Sequence, residues 1–452
     1  MNQKSTATRF QPSLLDAGTL APKRNDPVQR IPPRFNRRQL LAGTAAASLA
    51  FPIPTVVPSS ALGKDGRPAP SERIVMGVLG LGGRGTYDLG IFLQQPEVQL
   101  VATCDVRAER RLEGKRLIDE KYDSQDCLAY SDMFALYARK DLDAVLIATG
   151  DRWHTLASIL AAKAGKDIYC EKPLSLTIAE SRALADNIQR YARVYQAGTQ
   201  RRNIRNFMLA VDLVHRGKLG KLRAVHANTL PPSTNHSWLP AEPEPDPTQV
   251  DWNRWLGPTP WRPYNAAYVA GRWRGYFDFH GGGILEWGSH TIDLCQWANQ
   301  ADATTPVHFE PEGTRVTAHY ANGVKLVMRD TGWLGMGTCS VRFEGEDGWV
   351  ETGDSGKMLL GPGKLRNEHR GFTDVGTDPT NHIREFLRCV KTREVTAANA
   401  AVAAQSHVAA HAAYVAWQLG RPCKFDPATE RFVNDDAANR MRSRAWREPW
   451  NV

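Results

Sequence analysis

The sequence predicts an α/β protein of two domains: a doubly wound parallel sheet, then a second α+β domain built on an open, largely antiparallel sheet. Three observations carry this expectation. From residue 74 to 199, short β-branched runs alternate with longer helical stretches, the rhythm of a parallel sheet covered by helices on both faces. A glycine-rich turn closes the first of those runs. From Leu222 onward the apolar period shifts toward two, without intervening helices, as in strands with one buried face. At 452 residues, with 42% hydrophobic, 23% charged and 9% aromatic content, the chain fits an ordinary globular protein, which excludes disordered, collagenous and coiled-coil classes. Its length favours two domains over one.

Residues 1–63 carry eight basic side chains (Lys4, Arg9, Lys23, Arg24, Arg30, Arg34, Arg37, Arg38) against Asp16 and Asp26, so +6 of the formal net charge of +9 sits there. The remaining chain holds 49 basic and 46 acidic residues. It leaves no basic stripe interleaved with aromatics to follow a phosphate backbone, which argues against a nucleic-acid partner. Asn36-Arg37-Arg38-Gln39-Leu40-Leu41 opens an apolar run through Phe51, and residues 57–61 end in small side chains. Paired arginine, apolar run and small-residue exit, in that order, resemble a twin-arginine export signal. The run extends about a dozen residues before Pro52 and Pro54 stop it, short of the roughly 20 that a bilayer span needs. The expectation is export of a folded protein to the periplasm, with no membrane span.

Strands are expected at 74–79, 99–104, 144–148, 167–170 and 194–197, and a helix within 203–220, where Phe207, Leu209, Ala210, Leu213 and Val214 recur at helical spacing. Residues 315–320 and 324–329 flank Asn322-Gly323, the dipeptide of a tight hairpin, and a second hairpin is expected around Glu346-Asp347-Gly348. The segment 231–263 holds nine prolines and reads as an irregular excursion over the surface. Helix returns over 381–419, stopped by Gly420 and Pro422. The resulting domains are a leader (1–63), a nucleotide-binding domain (72–200), an α+β substrate and oligomerisation domain (201–380), and C-terminal helices and a tail (381–452) packing back on the nucleotide-binding domain. Seven cysteines, an odd number without any CxxC, signal neither a disulfide scaffold nor a zinc site and read as small buried hydrophobes.

Gly80-Leu81-Gly82-Gly83-Arg84-Gly85 follows the first strand at once and precedes a helical pattern. The first glycine allows the tight turn, the second lets backbone N–H groups approach a pyrophosphate, and the third lets helix and strand pack closely. The phosphates then sit at a helix N-terminus, where unpaired N–H groups favour an anion. Asp105, 20 residues beyond Gly85 at the end of the second strand, is placed to hold the adenosine ribose hydroxyls. This is a Rossmann-type dinucleotide site. The Asp105 charge repels a 2′-phosphate and so favours NAD over NADP, a preference tempered by Arg84 and Arg107 nearby.

Thr149-Gly150-Asp151-Arg152-Trp153-His154 follows the third of these strands and Cys170-Glu171-Lys172-Pro173 the fourth, both at carboxyl ends where open α/β sheets bind ligands. With the glycine cradle and Gly281-Gly282-Gly283-Ile284-Leu285-Glu286-Trp287-Gly288-Ser289-His290-Thr291-Ile292-Asp293, these segments resemble the Gfo/Idh/MocA family of glucose-fructose oxidoreductase, inositol dehydrogenase and relatives, across roughly residues 72–450. The resemblance implies a tightly bound NAD(P), a carbohydrate substrate, and a catalytic group of Lys172 and His290 meeting that substrate near the nicotinamide. It also implies that Asp151, Trp153, His154, Glu171, Lys172 and Gln200 line the nicotinamide half, and that the chain forms a homo-oligomer, dimer or tetramer. In the related NAD-dependent glycosidases, valine commonly stands at the Lys172 position, which favours a dehydrogenase here.

Oxidising a sugar CH–OH requires a base for the hydroxyl proton, and the reverse reaction an acid at the carbonyl oxygen. Lys172 serves if a cationic nicotinamide and partial desolvation lower its pKa, and histidine needs little tuning for the task. Glu286 and His290 are four apart, hence on one helix face, with Asp293 three further on, so a carboxylate is expected to orient the imidazole. The family usually has Asp at position 286, and the extra methylene puts the proton-relay role in doubt because catalysis is sensitive to displacements near 1 Å. Gly150 stands where proline is common, a departure with no chemical consequence on this reading. Seven tryptophans between residues 238 and 297 lie beside Arg272, Arg274 and Tyr276. Four or five are assigned to packing and one or two to a substrate wall, since an indole suits the mixed faces of a sugar. Arg202, Arg272, Trp273, Tyr276 and His280 are the candidate substrate contacts. His407 and His411 have a metal-ligand spacing but no third ligand, and read as helix packing.

Overall fold

Six apolar runs form one parallel sheet: β1 (Ile74–Leu79), β2 (Val98–Cys104), β3 (Leu128–Tyr130), β4 (Ala144–Ile147), β5 (Asp167–Cys170) and β6 (Tyr195–Ala197), in the order β3-β2-β1-β4-β5-β6. The computed structural model describes residues 68–233, 237–368 and 378–450, and the expected export segment lies outside them. Strands β1 and β4 are buried on both faces, which is why their sequences are continuous apolar runs rather than alternating ones. The edge strand β3, three residues long and partly exposed, lacks that signal and was not expected. The chain turns one way from β1 to β2 and the other way to β4, so a crevice opens at the carboxyl ends between them. Gly80 (φ +89°) and Thr149 meet there so closely that a Cβ on Gly80 would lie 2.6 Å from the Thr149 nitrogen.

The second sheet comprises β7 (Leu222–Asn228), β8 (His308–Glu312), β9 (Arg315–His319), β10 (Lys325–Arg329), β11 (Val341–Gly345), β12 (Trp349–Thr352), β13 (Met358–Gly361), β14 (Cys423–Asp426) and β15 (Arg431–Phe432). Their order is β13-β12-β11-β7-β10-β9-β8-β14-β15. All of its pairs are antiparallel except β7 with β10, so the sheet is mixed. Both expected hairpins form, β9 with β10 and β11 with β12, and Gly323 at φ +87° makes the first turn. One face buries Val225, Phe309, Leu326 and Phe343 under three helices, Arg205–His215, Gly282–Ala298 and Ala400–Leu419.

The Gly282–Ala298 helix starts against β7's exit. A Cβ on Gly283 would lie 2.0 Å from the Pro231 carbonyl oxygen, so only glycine lets the helix begin there. The predicted helix over 381–419 is two: Thr380–Thr392, which packs Ile383, Phe386 and Leu387 against the parallel sheet, and Ala400–Leu419. Alanine at most positions of the latter lets Ile178–Arg190 on one side and Gly282–Ala298 on the other approach closely.

The proline-rich excursion does more than cross the surface. Ala108 N–H donates to Gln249 O (2.8 Å) and Asp251 N–H to Val106 O (3.1 Å), and Trp252 stacks on Trp255, 4.7 Å between centroids. These indoles are buried with Tyr264, Tyr268, Tyr276 and Phe279, so apolar area draws the segment back over the first domain. All seven cysteines are buried and unpaired. No helix among the described residues is long and apolar enough to cross a membrane.

Candidate active site

Behind β1, a Cβ on Gly85 would lie 2.1 Å from the Gly80 carbonyl oxygen, whereas one on Gly82 or Gly83 would meet nothing within 4 Å. Tight packing holds the turn from behind, and its front is open backbone. That is the cradle a pyrophosphate requires, so these residues fit a dinucleotide. The cradle opens into a cavity of about 330 Å³ lined by Gly80, Gly82, Gly83, Asp105, Thr149 and Trp153 among others. Asp105 accepts from Leu81 N–H (2.8 Å) and Arg107 N–H (2.9 Å), so it fixes the turn at the cavity wall; burial raises its pKa. Arg84, in the cavity wall, pairs with Asp88 (3.1 Å) and Glu171 (3.0 Å). Two buried carboxylates share that one cation: burial and Glu171 push Asp88 well up, while Arg84 and Lys172 outweigh burial and hold Glu171 down. Gln200 Nε2 donates to Glu171 Oε1 (2.6 Å) and Tyr169 Oη (3.1 Å).

At the end of β5, Lys172 Nζ donates to the Glu286 carbonyl (2.8 Å) and lies 3.5 Å from Glu286 Oε1. Glu286 Oε2 accepts from His280 Nε2 (2.7 Å). His280 Nδ1 accepts from Gly275 N–H (3.3 Å) and Gly282 N–H (3.1 Å), which fixes the proton on Nε2. Asp151 Oδ2, 4.0 Å from His280 Nε2, accepts from Gly281 N–H (3.3 Å). Burial opposes ionisation of Glu286, but His280, Lys172 and Arg274 outweigh it and hold its pKa at about 2. The longer Glu286 side chain therefore spans Lys172 and His280.

His290 differs from expectation. Neither Glu286 nor Asp293 orients it. Arg201 Nη1 donates to His290 Nε2 (2.9 Å), and since a guanidinium only donates, the imidazole proton sits on Nδ1, which has no partner. Burial and the charges on Arg201 and Lys172 hold His290 well below its ordinary pKa. It is a neutral donor rather than an imidazolium. Asp293 and Arg202 instead pair with each other (2.6 and 3.0 Å), with Asp302 at 2.7 Å from Arg202, so the expected substrate contact Arg202 is a buried structural cation.

The neighbouring Arg201, missed in the sequence, is held by Asp354 (3.1 and 2.7 Å) and reaches the site. Both arginines lie on the single turn Gln200–Asn203, which points them in different directions. Tyr276 is packing too: it donates to Ser237 O (2.9 Å) and stacks on Trp238. Arg272 is exposed, whereas Trp273 lines the cavity 5.7 Å from the His280 ring.

Trp153 Nε1 donates to Arg254 O (2.9 Å), and its ring meets Trp450 edge-on on the cavity wall. His154 Nδ1 bonds Pro173 O (2.6 Å) and Nε2 lies 3.2 Å from Thr149 O, tying the Lys172-Pro173 loop to the turn after β4. His407 Nε2 accepts from Leu174 N–H (3.0 Å) and His411 Nε2 bonds Ser175 Oγ (3.0 Å), so this helical pair holds the same loop from the other side. Trp450, Arg254 and Arg152 were also unforeseen in the cavity wall.

Family models match both halves of the chain: "Oxidoreductase family, NAD-binding Rossmann fold" over residues 74–199 and "Oxidoreductase family, C-terminal alpha/beta domain" over residues 235–452. A myo-inositol 2-dehydrogenase of Thermotoga maritima is 32% identical over 164 residues, 36% of this chain and 47% of that protein. A glycosyl hydrolase family 109 protein of Saccharopolyspora erythraea is 27% identical over 206 residues, 42% of this chain and 44% of that protein. The matched region thus spans about half the length of these curated relatives. The crystal structure of the WlbA dehydrogenase of Chromobacterium violaceum, in complex with NADH and UDP-GlcNAcA, superposes with a TM-score of 0.58 at 15% identity, over 80% of this chain and 98% of that one. The aldose-aldose oxidoreductase of Caulobacter crescentus gives 0.55 at 18% identity, over 78% and 100%.

Proposed function

The chain belongs to the Gfo/Idh/MocA oxidoreductase family, and from that premise we propose that it moves hydride between a tightly bound nicotinamide cofactor and a hydroxyl or carbonyl carbon of a carbohydrate, as an exported, periplasmic enzyme. The observation that carries the reading is the junction at the end of β5. Arg84 of the cradle bonds Glu171, the next residue is Lys172, and Lys172 is held by Glu286 one helical turn before His290.

A bound nicotinamide supplies the acceptor or donor of hydride. Lys172 Nζ takes the hydroxyl proton during oxidation and returns it during reduction. Glu286, kept ionised, aims that nitrogen, and His280 locks Glu286 in place. His290 Nδ1–H, the donor left without a partner, holds the substrate oxygen as charge develops on it.

The cofactor is NAD rather than NADP, because a 2′-phosphate would face Asp105, and Arg84 and Arg107 already have Glu171 and Glu109 as partners. Arg254, Trp255, Trp273 and Trp450 line the cavity beside the cradle, and these walls favour its retention. The outer face of the nine-stranded sheet is the contact of a homo-oligomer.

A second reading, transient oxidation with elimination and re-reduction as an NAD-dependent glycosidase, has the glycosyl hydrolase family 109 relatives in its favour. Fluorescence and mass analysis of the purified protein, followed by a survey of sugars and glycosides, test both. Carbonyl product with bound cofactor reduced supports the oxidoreductase, and aryl-glycoside cleavage with no net reduction supports the glycosidase. Protein purified without any nucleotide contradicts tight binding.

A further inference from the structure

Gly150 and Arg152 make sense together. Gly150 adopts φ −77° and ψ 153°, a conformation open to any residue and to proline, so backbone strain does not explain the glycine. Space does. A Cβ at position 150 would lie 2.4 Å from Arg152 Nη1 and 3.2 Å from its Cζ. The missing side chain is the seat of the Arg152 guanidinium.

That guanidinium lies 3.6 Å above the Trp255 ring, with Phe279 at 5.5 Å and Trp273 at 6.0 Å. Its Nε donates to Trp255 O (2.7 Å), while Nη1 is buried without any partner. The residue is 6% exposed and forms part of the cavity wall. Among the described residues no carboxylate forms an ion pair with it, although Arg84, Arg107, Arg110 and Arg254 in the same wall each have one. Burial lowers its pKa to about 9 despite nearby Asp151. A desolvated, unneutralised cation is costly unless a partner arrives, and buried donors are satisfied almost everywhere in folded proteins.

We propose that Arg152 is an anion-binding element of the cleft, and that its guanidinium takes a phosphoryl or carboxylate oxygen of the molecule filling the cavity. The source is either the cofactor's pyrophosphate or an acid group on the sugar. The inference rests on the cavity being the ligand site proposed above, but not on which reaction occurs there.

Two variants test it. Arg152→Met keeps the bulk and removes the charge, and Gly150→Ala keeps the charge but evicts it from its seat. NADH retention and affinity, by fluorescence, and KM for glucuronate against glucose are measured on both and on the parent. A charge-assisted hydrogen bond corresponds to roughly tenfold or more in affinity. An NADH Kd raised by that factor in both variants assigns the anion to the cofactor. NADH unchanged with KM raised for glucuronate alone assigns it to the substrate. Nucleotide-free Arg152→Met should melt no lower than the parent, since an unpaired buried charge has gone. If NADH and glucuronate both bind within twofold of the parent, the proposal is overturned, and likewise if Arg152→Met only lowers the melting temperature. Neither outcome touches Lys172, whose loss of turnover is read separately.

Discussion

The two ends of the cleft are built from different material. The dinucleotide end is mostly backbone: an open turn at Gly82 and Gly83, packed from behind through Gly80 and Gly85 and fixed by Asp105. The proposed reacting end is built from side chains of five stretches of chain in two hydrogen-bonded sets on one helix, Lys172–Glu286–His280 and Asp354–Arg201–His290. Backbone cradles tolerate change wherever a side chain finds room, whereas a network fails when one member is lost. The two ends should therefore break in different ways.

The largest effect is expected at the reacting end. Lys172→Met removes the proposed proton carrier and should lower kcat about 10²–10⁴-fold, with nucleotide still bound; steady-state rates on the loaded enzyme check this. The adjacent arginines come next. Arg202→Met breaks a buried ion pair and should cost about 3–5 kcal/mol of stability, measured by denaturant unfolding, with kcat of the folded fraction near normal. Arg201→Met should do the reverse, lowering kcat up to about 10²-fold as His290 loses its orientation while stability changes far less. Equal effects of the two would erase the distinction drawn between them.

At the dinucleotide end, Gly85→Ala forces a Cβ into the Gly80 carbonyl and should cost about 1–3 kcal/mol together with NADH binding, while Gly83→Ala should leave melting unchanged. Stability should also depend on pH. Burial holds His226, His382 and His407 down at about 4, and His290 and His411 well below the ordinary value. The native state keeps them neutral while the unfolded chain protonates below about pH 6.5, so stability should fall as pH drops from there toward 4. Each contributes a slope of about 1.4 kcal/mol per pH unit. Thermal melts across that range should show this, and a flat profile would mean these imidazoles are not buried neutral.

The same contrast explains what could be read from the sequence. Glycine spacing and a carboxylate at a strand end are local signals, so the cradle, Asp105 and five of six parallel strands were legible. Lys172, Glu286 and His290 were legible only as motifs. Their partners were not: spacing on one helix face favoured Glu286 or Asp293 as the support of His290, but the support is Arg201, brought in by a turn that tertiary packing orients. Arg201 and Arg202 are indistinguishable by local pattern; only tertiary packing sends Arg202 to Asp293 and Arg201 to His290. Gly150 looked inconsequential because its meaning lies in the room it leaves for Arg152. The proline-rich segment looked like surface because its buried indoles have no regular period.

The most direct test of the central claim uses the protein as purified. Reduced-nicotinamide fluorescence is followed while sugars are added to the parent and to Lys172→Met. Bound nucleotide is expected in both proteins, with a signal that responds to a sugar only in the parent. Bound nucleotide that responds equally in both would contradict the role proposed for Lys172.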